Sequence, residues 1–233
     1  MTPACARPML ALTRVSKSHP GAGGRMVLRD IELVLGAGEY IAVMGESGVG
    51  KSTLLNLIAG IDRPDSGRIV LDGVDIAALD DDARTLTRRA RMGFVFQAFY
   101  LLPHLTVLQN VALPLRIAGQ DRESSEQRAY AMLEAVALAR LAARYPRSLS
   151  GGEMQRAAIA RALVHVPRLV LADEPTGNLD ADSARHVLAL LRDQIKREGG
   201  GGLLVTHSAQ AAATADRTYV LTAAGLQPQR APR

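Results

Sequence analysis

The chain has 233 residues, 48% of them hydrophobic and 22% charged, which excludes a wholly disordered, collagenous or disulfide-stapled protein. Lys and Arg outnumber Asp and Glu by 28 to 23, a net charge of +5 compatible with a phosphate ligand, an anionic surface or nucleic acid. Aromatics are only 3% and Trp is absent, which disfavours a stacking platform for single strands, while the one cysteine, Cys5, permits no internal disulfide and reads as a free thiol in a reducing compartment.

No long apolar run opens the chain, so no signal peptide is expected. Ile31 to Leu35 alternates as a half-buried strand does, and Gly36 and Gly38 then mark a turn. Tyr40 to Met44 is a short apolar run suited to a buried parallel strand. Lys51 to Ala59 reads as a helix, Pro64 to Gly67 as a turn and Arg68 to Asp72 as a strand. Asp80, Asp81 and Asp82 precede a basic run, Arg84 to Arg91, as acids at a helix N-terminus should. Gly93 to Phe96 is strand-like. Met92 to Leu115 carries no charged residue and is as long as a membrane span. Its Pro103, Pro114 and hydrogen-bonding side chains argue against lipid exposure. Glu126 to Arg140 places Ala129, Met132, Leu133 and Val136 on one helical face. A helix follows from Gly151 to Val164, then a buried strand from Leu169 to Ala172 that ends in Asp173 and Glu174. Asp180 to Arg197 is helical, glycines 199–202 loosen the approach to a strand at Leu203 to Thr206, and residues from Thr222 onward read as a loose basic tail. The pattern implies an α/β fold with a mainly parallel central sheet and a helical insertion at about 97–160.

Gly45-Glu-Ser-Gly-Val-Gly-Lys-Ser52 fits G-x-x-x-x-G-K-[ST], between a buried strand and a helix. Its glycines let successive N–H groups turn inward on phosphate oxygens, and the helix dipole adds positive potential. The loop residues Gly45, Glu46, Ser47, Gly48, Val49, Gly50, Lys51, Ser52 and Thr53 are therefore candidate nucleotide contacts. Lys51 supplies a point charge for the β- and γ-phosphates, and Ser52 a hydroxyl for Mg²⁺. Asp173 and Glu174 end a buried strand at the carboxyl edge of the sheet, where open α/β folds bind ligands. Asp173 can hold Mg²⁺, and Glu174 can deprotonate an attacking water.

Leu149-Ser-Gly-Gly-Glu-Met-Gln-Arg156 sets Ser150 as a helix cap, with Gly151 and Gly152 exposing N–H groups that make a second anion site at the helix start; Ser150, Gly151, Gly152 and Glu153 are candidate nucleotide contacts. This segment resembles the signature of ATP-binding cassette proteins, and the resemblance extends from about residue 10 to 220. Gln97 resembles the Q-loop glutamine that contacts Mg²⁺ and couples to a membrane partner. Gly177 to Asp180 resembles the D-loop, and His207 the switch histidine on the γ-phosphate. The phrases Ala172 to Asp180 and Phe96 to Pro103 are similar to the branch of lipoprotein-releasing and macrolide-export ATPases, with the cell-division cassette ATPase a close relative. His19 stands where the family has an adenine-stacking aromatic, and Ser208 where it has Asp.

The resemblance implies a P-loop core at about 10–96 and 161–221 with an N-terminal antiparallel β subdomain, a helical subdomain at 97–160 and a loose tail at 222–233. It implies an ATP hydrolase using ATP and Mg²⁺, with Lys51, Glu174, Gln97 and His207 in catalysis and Ser52, Gln97 and Asp173 toward the metal. Two copies would sandwich ATP head-to-tail, Ser150 of one closing over Lys51 of the other and Asp180 crossing between them. The partners are a second copy and membrane permease subunits, contacted through Phe99 to Leu115 from the cytoplasmic face, with no direct nucleic acid. Alternatives are a cell-division-type or other soluble cassette ATPase acting on a peptidoglycan-regulating complex, DNA or ribosomes, or a module that binds ATP without hydrolysis. The chain carries no coiled-coil insertion, zinc motif or second cassette of the soluble kind, and it keeps Glu174 and His207.

Overall fold

The computed structural model describes residues 8–19 and 26–229; Cys5 and residues 230–233 of the expected tail lie outside the described residues. The strands are β1 (Leu10–Ser18), β2 (Met26–Leu35), β3 (Tyr40–Met44), β4 (Ser66–Leu71), β5 (Val74–Asp75), β6 (Met92–Phe96), β7 (Leu169–Asp173), β8 (Gly201–Thr206), β9 (Arg217–Thr222) and β10 (Gly225–Pro228). The helices are α1 (Lys51–Ile58), α2 (Asp81–Arg91), α3 (Val107–Ile117), α4 (Arg122–Ala135), α5 (Gly151–Leu163), α6 (Ala181–Arg197) and α7 (Ala209–Ala212). A four-stranded antiparallel sheet runs β2-β1-β4-β5, and a six-stranded sheet runs β10-β9-β3-β8-β7-β6. The second sheet is parallel except for the β9–β10 hairpin.

Alternation in the central strands decides the packing. Ile41 and Val43 of β3 face a core shared with α1 and the antiparallel sheet, where Leu10, Ile31, Leu54 and Ile69 are buried. Tyr40 and Ala42 face the opposite side, against Ile159 of α5 and Val187, Leu191 and Ile195 of α6. A third cluster joins α3, α4 and α5 through Val111, Leu115, Ala129, Leu133 and Ala157. It forms the helical insertion that the sequence pattern anticipates.

Three expectations need correction. The tail is not loose from Thr222, because Gly225 to Pro228 pairs with Thr222 to Tyr219 and extends the sheet. Gly201 and Gly202 do not loosen β8; they belong to it and are buried. A Cβ at Gly202 would press on the Tyr40 ring and come within 2.8 Å of Ile195, so the strand needs small residues there. The uncharged segment from Met92 to Leu115, already read as unsuited to lipid exposure, is broken into β6, a loop and α3, and no helix among the described residues is long and apolar enough to cross a membrane. The helix expected from Glu126 to Arg140 runs from Arg122 to Ala135 instead, starting at an Asp121 cap.

Candidate functional site

Register brings the site together. Met44 pairs with Thr206, Val205 with Asp173, and Asp173 with Phe96, so four parallel strands end in nearly one line. The residues that follow, Gly45, His207, Glu174 and Gln97, therefore leave the sheet at the same edge. They open on a cleft of about 910 Å³ lined by the loop Ser47 to Thr53, by Gln97, Asp173, Glu174 and His207, and by His19, Met26, Val27 and Ala223.

The loop is shaped by two left-handed glycines, Gly48 at φ +76° and Gly50 at φ +112°. At Gly50 a Cβ would lie 2.7 Å from Val27 Cγ1, so the backbone reaches this turn only without a side chain. Gly50 leads directly into α1, whose N-terminus has no side-chain cap. Its orphan N–H groups and positive dipole end are thus open toward the cleft. Lys51 Nζ donates to Gly45 O at 2.8 Å and Glu46 O at 2.9 Å, so these two residues hold the ammonium rather than line the cleft.

Ser52 Oγ donates to Asp173 Oδ2 at 3.2 Å. Burial raises the Asp173 pKa above the usual carboxylate range, and the neighbouring Glu174 charge adds to the rise against the opposing Ser52 hydrogen bond. Glu174 sits at φ +46°, a left-handed backbone that is costly for a residue with a Cβ. The strain is held by a full set of bonds. Its N–H donates to Val205 O at 2.9 Å, its Oε1 accepts from the His207 N–H at 2.8 Å, and Oε1 lies 2.7 Å from His207 Nδ1. Its Oε2 accepts from Thr206 Oγ1 at 3.0 Å. Asp173 and Glu174 thus turn toward different partners, as expected of consecutive residues at a strand end.

Gln97 Nε2 is 3.4 Å from Asn178 Oδ1, and Asn178 Nδ2 donates to Gln97 O at 3.0 Å. His19 Nε2 lies 3.4 Å from Thr53 Oγ1. Among the described residues no group of three or more His, Cys, Asp or Glu side chains could hold a metal. The hydroxyl of Ser52, the carboxylate of Asp173 and the amide of Gln97 are hard oxygen donors. Such a sparse set fits Mg²⁺, which keeps waters and shares phosphate oxygens of its substrate.

Ser150, Gly151, Gly152, Glu153 and Asp180 do not line this cleft. Ser150 and Glu153 close a capping box at the start of α5: Glu153 N–H donates to Ser150 Oγ at 3.3 Å, and Ser150 N–H to Glu153 Oε2 at 2.8 Å. The Ser150 N–H bond holds the Glu153 pKa below its ordinary value against weak desolvation. Asp180 caps α6 by accepting from Asp182 N–H at 3.1 Å and Ser183 N–H at 2.9 Å. Sequence reasoning missed Thr206 and Asn178. Thr206 carried a signal, a hydroxyl closing the apolar run Leu203 to Val205, and it is 1% exposed. Asn178 lies within the D-loop resemblance of Gly177 to Asp180, but only the fold brings it to Gln97.

Residues 28–177 match the family described as ABC transporter. The chain is 48% identical over 218 residues to the lipoprotein-releasing system ATP-binding protein LolD of Anaeromyxobacter dehalogenans, covering 93% of this chain and 91% of that protein. It is 48% identical over 214 residues to the uncharacterized ABC transporter ATP-binding protein YvrO of Bacillus subtilis, covering 91% and 93%. Among solved structures it is similar to the ATP-binding cassette MJ0796 in a dimeric post-hydrolysis state bound to ADP and Pi, with a TM-score of 0.85 and 36% identity over 96% of this chain and 100% of that one.

Proposed function

The chain belongs to the ABC transporter family as an ATP-binding and ATP-hydrolysing subunit, and from that premise we propose how its residues do the work. The alignment of four strand ends at one sheet edge carries the reading. The loop Gly45 to Thr53 wraps the phosphates, and Lys51 leaves its own carbonyls to pair with the β- and γ-phosphate oxygens. His19, Met26 and Val27 take the nucleoside end, the imidazole offering a smaller stacking face than a large aromatic. Ser52, Asp173 and Gln97 would hold Mg²⁺, which would supply positive charge against the negative charge of the phosphates.

Glu174 accepts a proton from the attacking water as the new O–P bond forms in line and the bond to the β-phosphate oxygen breaks. Thr206 and the His207 N–H already orient that carboxylate. The His207 ring, now on Glu174, moves to the γ-phosphate when the site fills.

Two copies dimerise head-to-tail under ATP. Ser150, Gly151, Gly152 and Glu153 of one copy close over the phosphates held by the other, which accounts for their lying off their own cleft. Asp180 stands at that junction. The catalytic core is residues 10–96 and 161–221, and the helical arm is 97–160. Permease subunits dock on this arm around the exposed Tyr100 and Leu102, holding the chain at the cytoplasmic face of the membrane. The similarity to LolD favours a lipoprotein-releasing or macrolide-export type of system.

The test is Glu174→Gln with Mg-ATP. Turnover is expected to fall by about a thousandfold or more, while an ATP-bound dimer accumulates in light scattering. Tagged Glu174→Gln protein should recover a permease from detergent-solubilised membranes. Wild-type turnover would overturn the role of Glu174, and recovery of soluble partners alone would overturn the permease assignment.

A further inference from the structure

The helix that begins at Ser150 also grips the segment that carries Gln97. Gln155 Nε2 donates to Phe96 O at 3.3 Å. The Arg161 guanidinium donates to Phe99 O at 2.8 Å and also to Tyr100 O. Three backbone carbonyls on either side of Gln97 thus hang on side chains of α5.

This grip is energetically unusual. Burial lowers the Arg161 pKa, and no carboxylate enters to offset it. A half-buried cation with only carbonyl partners recovers less of its lost hydration than one paired with a carboxylate. The turn it holds is strained, with Tyr100 at φ +46° and 66% exposed. The Tyr100 ring meets Phe96 edge-on, with centroids 5.3 Å apart. The left-handed turn and the half-buried cation meet at the Tyr100 carbonyl.

On the proposed reading, the N-terminus of α5 faces the nucleotide of the partner copy, and Gln97 faces the chain's own. We propose that Arg161 is a positioning residue that ties Gln97 to α5, so that engagement of Ser150 at one nucleotide and of Gln97 at the other are coupled through one helix. This inference rests on the roles given above to Ser150 and Gln97. The coupling is reciprocal: each nucleotide favours the arm position that receives the other. Arg161→Met keeps the reach of the side chain and removes its donors. Arg161→Lys keeps the charge but replaces two separated guanidinium nitrogens, one on each carbonyl, with a single ammonium.

Both variants are made in the full-length Glu174→Gln chain. Three quantities are read: binding of a fluorescent ATP analogue at protein concentrations too low for dimers, ATP-driven dimerisation by light scattering, and amide hydrogen exchange of residues 97–101 in the nucleotide-free chain. Arg161→Met should bind nucleotide within about 3-fold of its parent yet need about 10-fold more ATP for half-dimerisation, with faster exchange at 97–101. Arg161→Lys should fall between, and it reads the same coupling if Arg161→Met does not fold. An Arg161→Met chain that dimerises as its parent does, or that loses nucleotide binding in the same proportion as dimerisation, overturns the inference. A parent that stays monomeric with ATP overturns the reading of Ser150, and this inference with it.

Discussion

The two helix ends proposed to meet phosphate are built in opposite ways. The start of α1 has no side-chain cap, follows a left-handed Gly50 and opens into a cleft with Lys51, Ser52, Asp173, Glu174 and His207. The start of α5 is closed by Ser150 and Glu153 on each other and lies off that cleft. The first end depends on a ligand to satisfy its N–H groups. The second is partly satisfied by its own residues and remains stable while it waits. On the proposed reading, a site divided in this way is assembled only when a second copy supplies the missing half, so ATP binding and dimerisation become one event.

The strongest way to break this comparison is to disable one half in each of two copies. Lys51→Ala and Ser150→Arg should each lower turnover about a hundredfold or more on their own. Mixed in equal amounts, they should recover roughly a quarter of wild-type turnover, because about half of the dimers then hold one site with both halves intact. Turnover measured against mixing ratio checks this. Wild-type activity from Ser150→Arg alone would mean that the cleft is complete within one copy.

A smaller effect sharpens the comparison from within the cleft. A Cβ at Gly177 would lie 2.7 Å from Gln97 Nε2 and 2.9 Å from its Cδ. Gly177→Ala should therefore displace a flexible amide rather than the backbone. The expected result is a fall in kcat of about 10-fold with an unchanged unfolding midpoint. The Mg²⁺ concentration for half-maximal activity should rise in the same variant. A kcat equal to wild type would remove Gln97 from the cation side of the cleft.

The same contrast explains what the sequence reveals. The cleft was legible because its parts are local: a glycine loop between strand and helix, and two acids ending an apolar run. The cap at Ser150 was legible for the same reason. Partners set by register were not. Thr206 reaches Glu174 because β7 and β8 pair as they do, and Asn178 reaches Gln97 across 81 residues. Gly201 and Gly202 read as loop residues by propensity, yet Tyr40 and Met9 occupy the space that their side chains would need. α3 was hidden by Pro114, which lies inside the helix and removes one of its hydrogen bonds. The burial of Val107, Val111 and Leu115 outweighs that cost.

The smallest prediction sets the two ends against each other by the sign of one acid's contribution to stability. Asp173 is held above the ordinary carboxylate range by burial and by Glu174. Its favourable contribution is present only below the pKa of the unfolded chain, about 3.9, and is lost as pH rises through the folded value. At neutral pH the nucleotide-free chain carries a cost there, and Asp173→Asn should stabilise it by about 1 kcal/mol. Glu153 is shifted the other way, chiefly by the Ser150 N–H bond. Its contribution is present above about pH 4.3 and is lost as pH falls through the lower folded value. Glu153→Ala should destabilise the chain by about 0.5 kcal/mol, the exposed carboxylate being screened by solvent. Thermal midpoints of both variants without nucleotide, from pH 3 to pH 8 or about that range, separate the two cases. Asp173→Asn should raise the midpoint at neutral pH and converge with wild type in acid. Glu153→Ala should lower it at neutral pH and also converge in acid. Shifts of the same sign would mean that the cleft is not held at a cost in stability. The contrast between an end built for a ligand and an end built to wait would then fail on its energetic side.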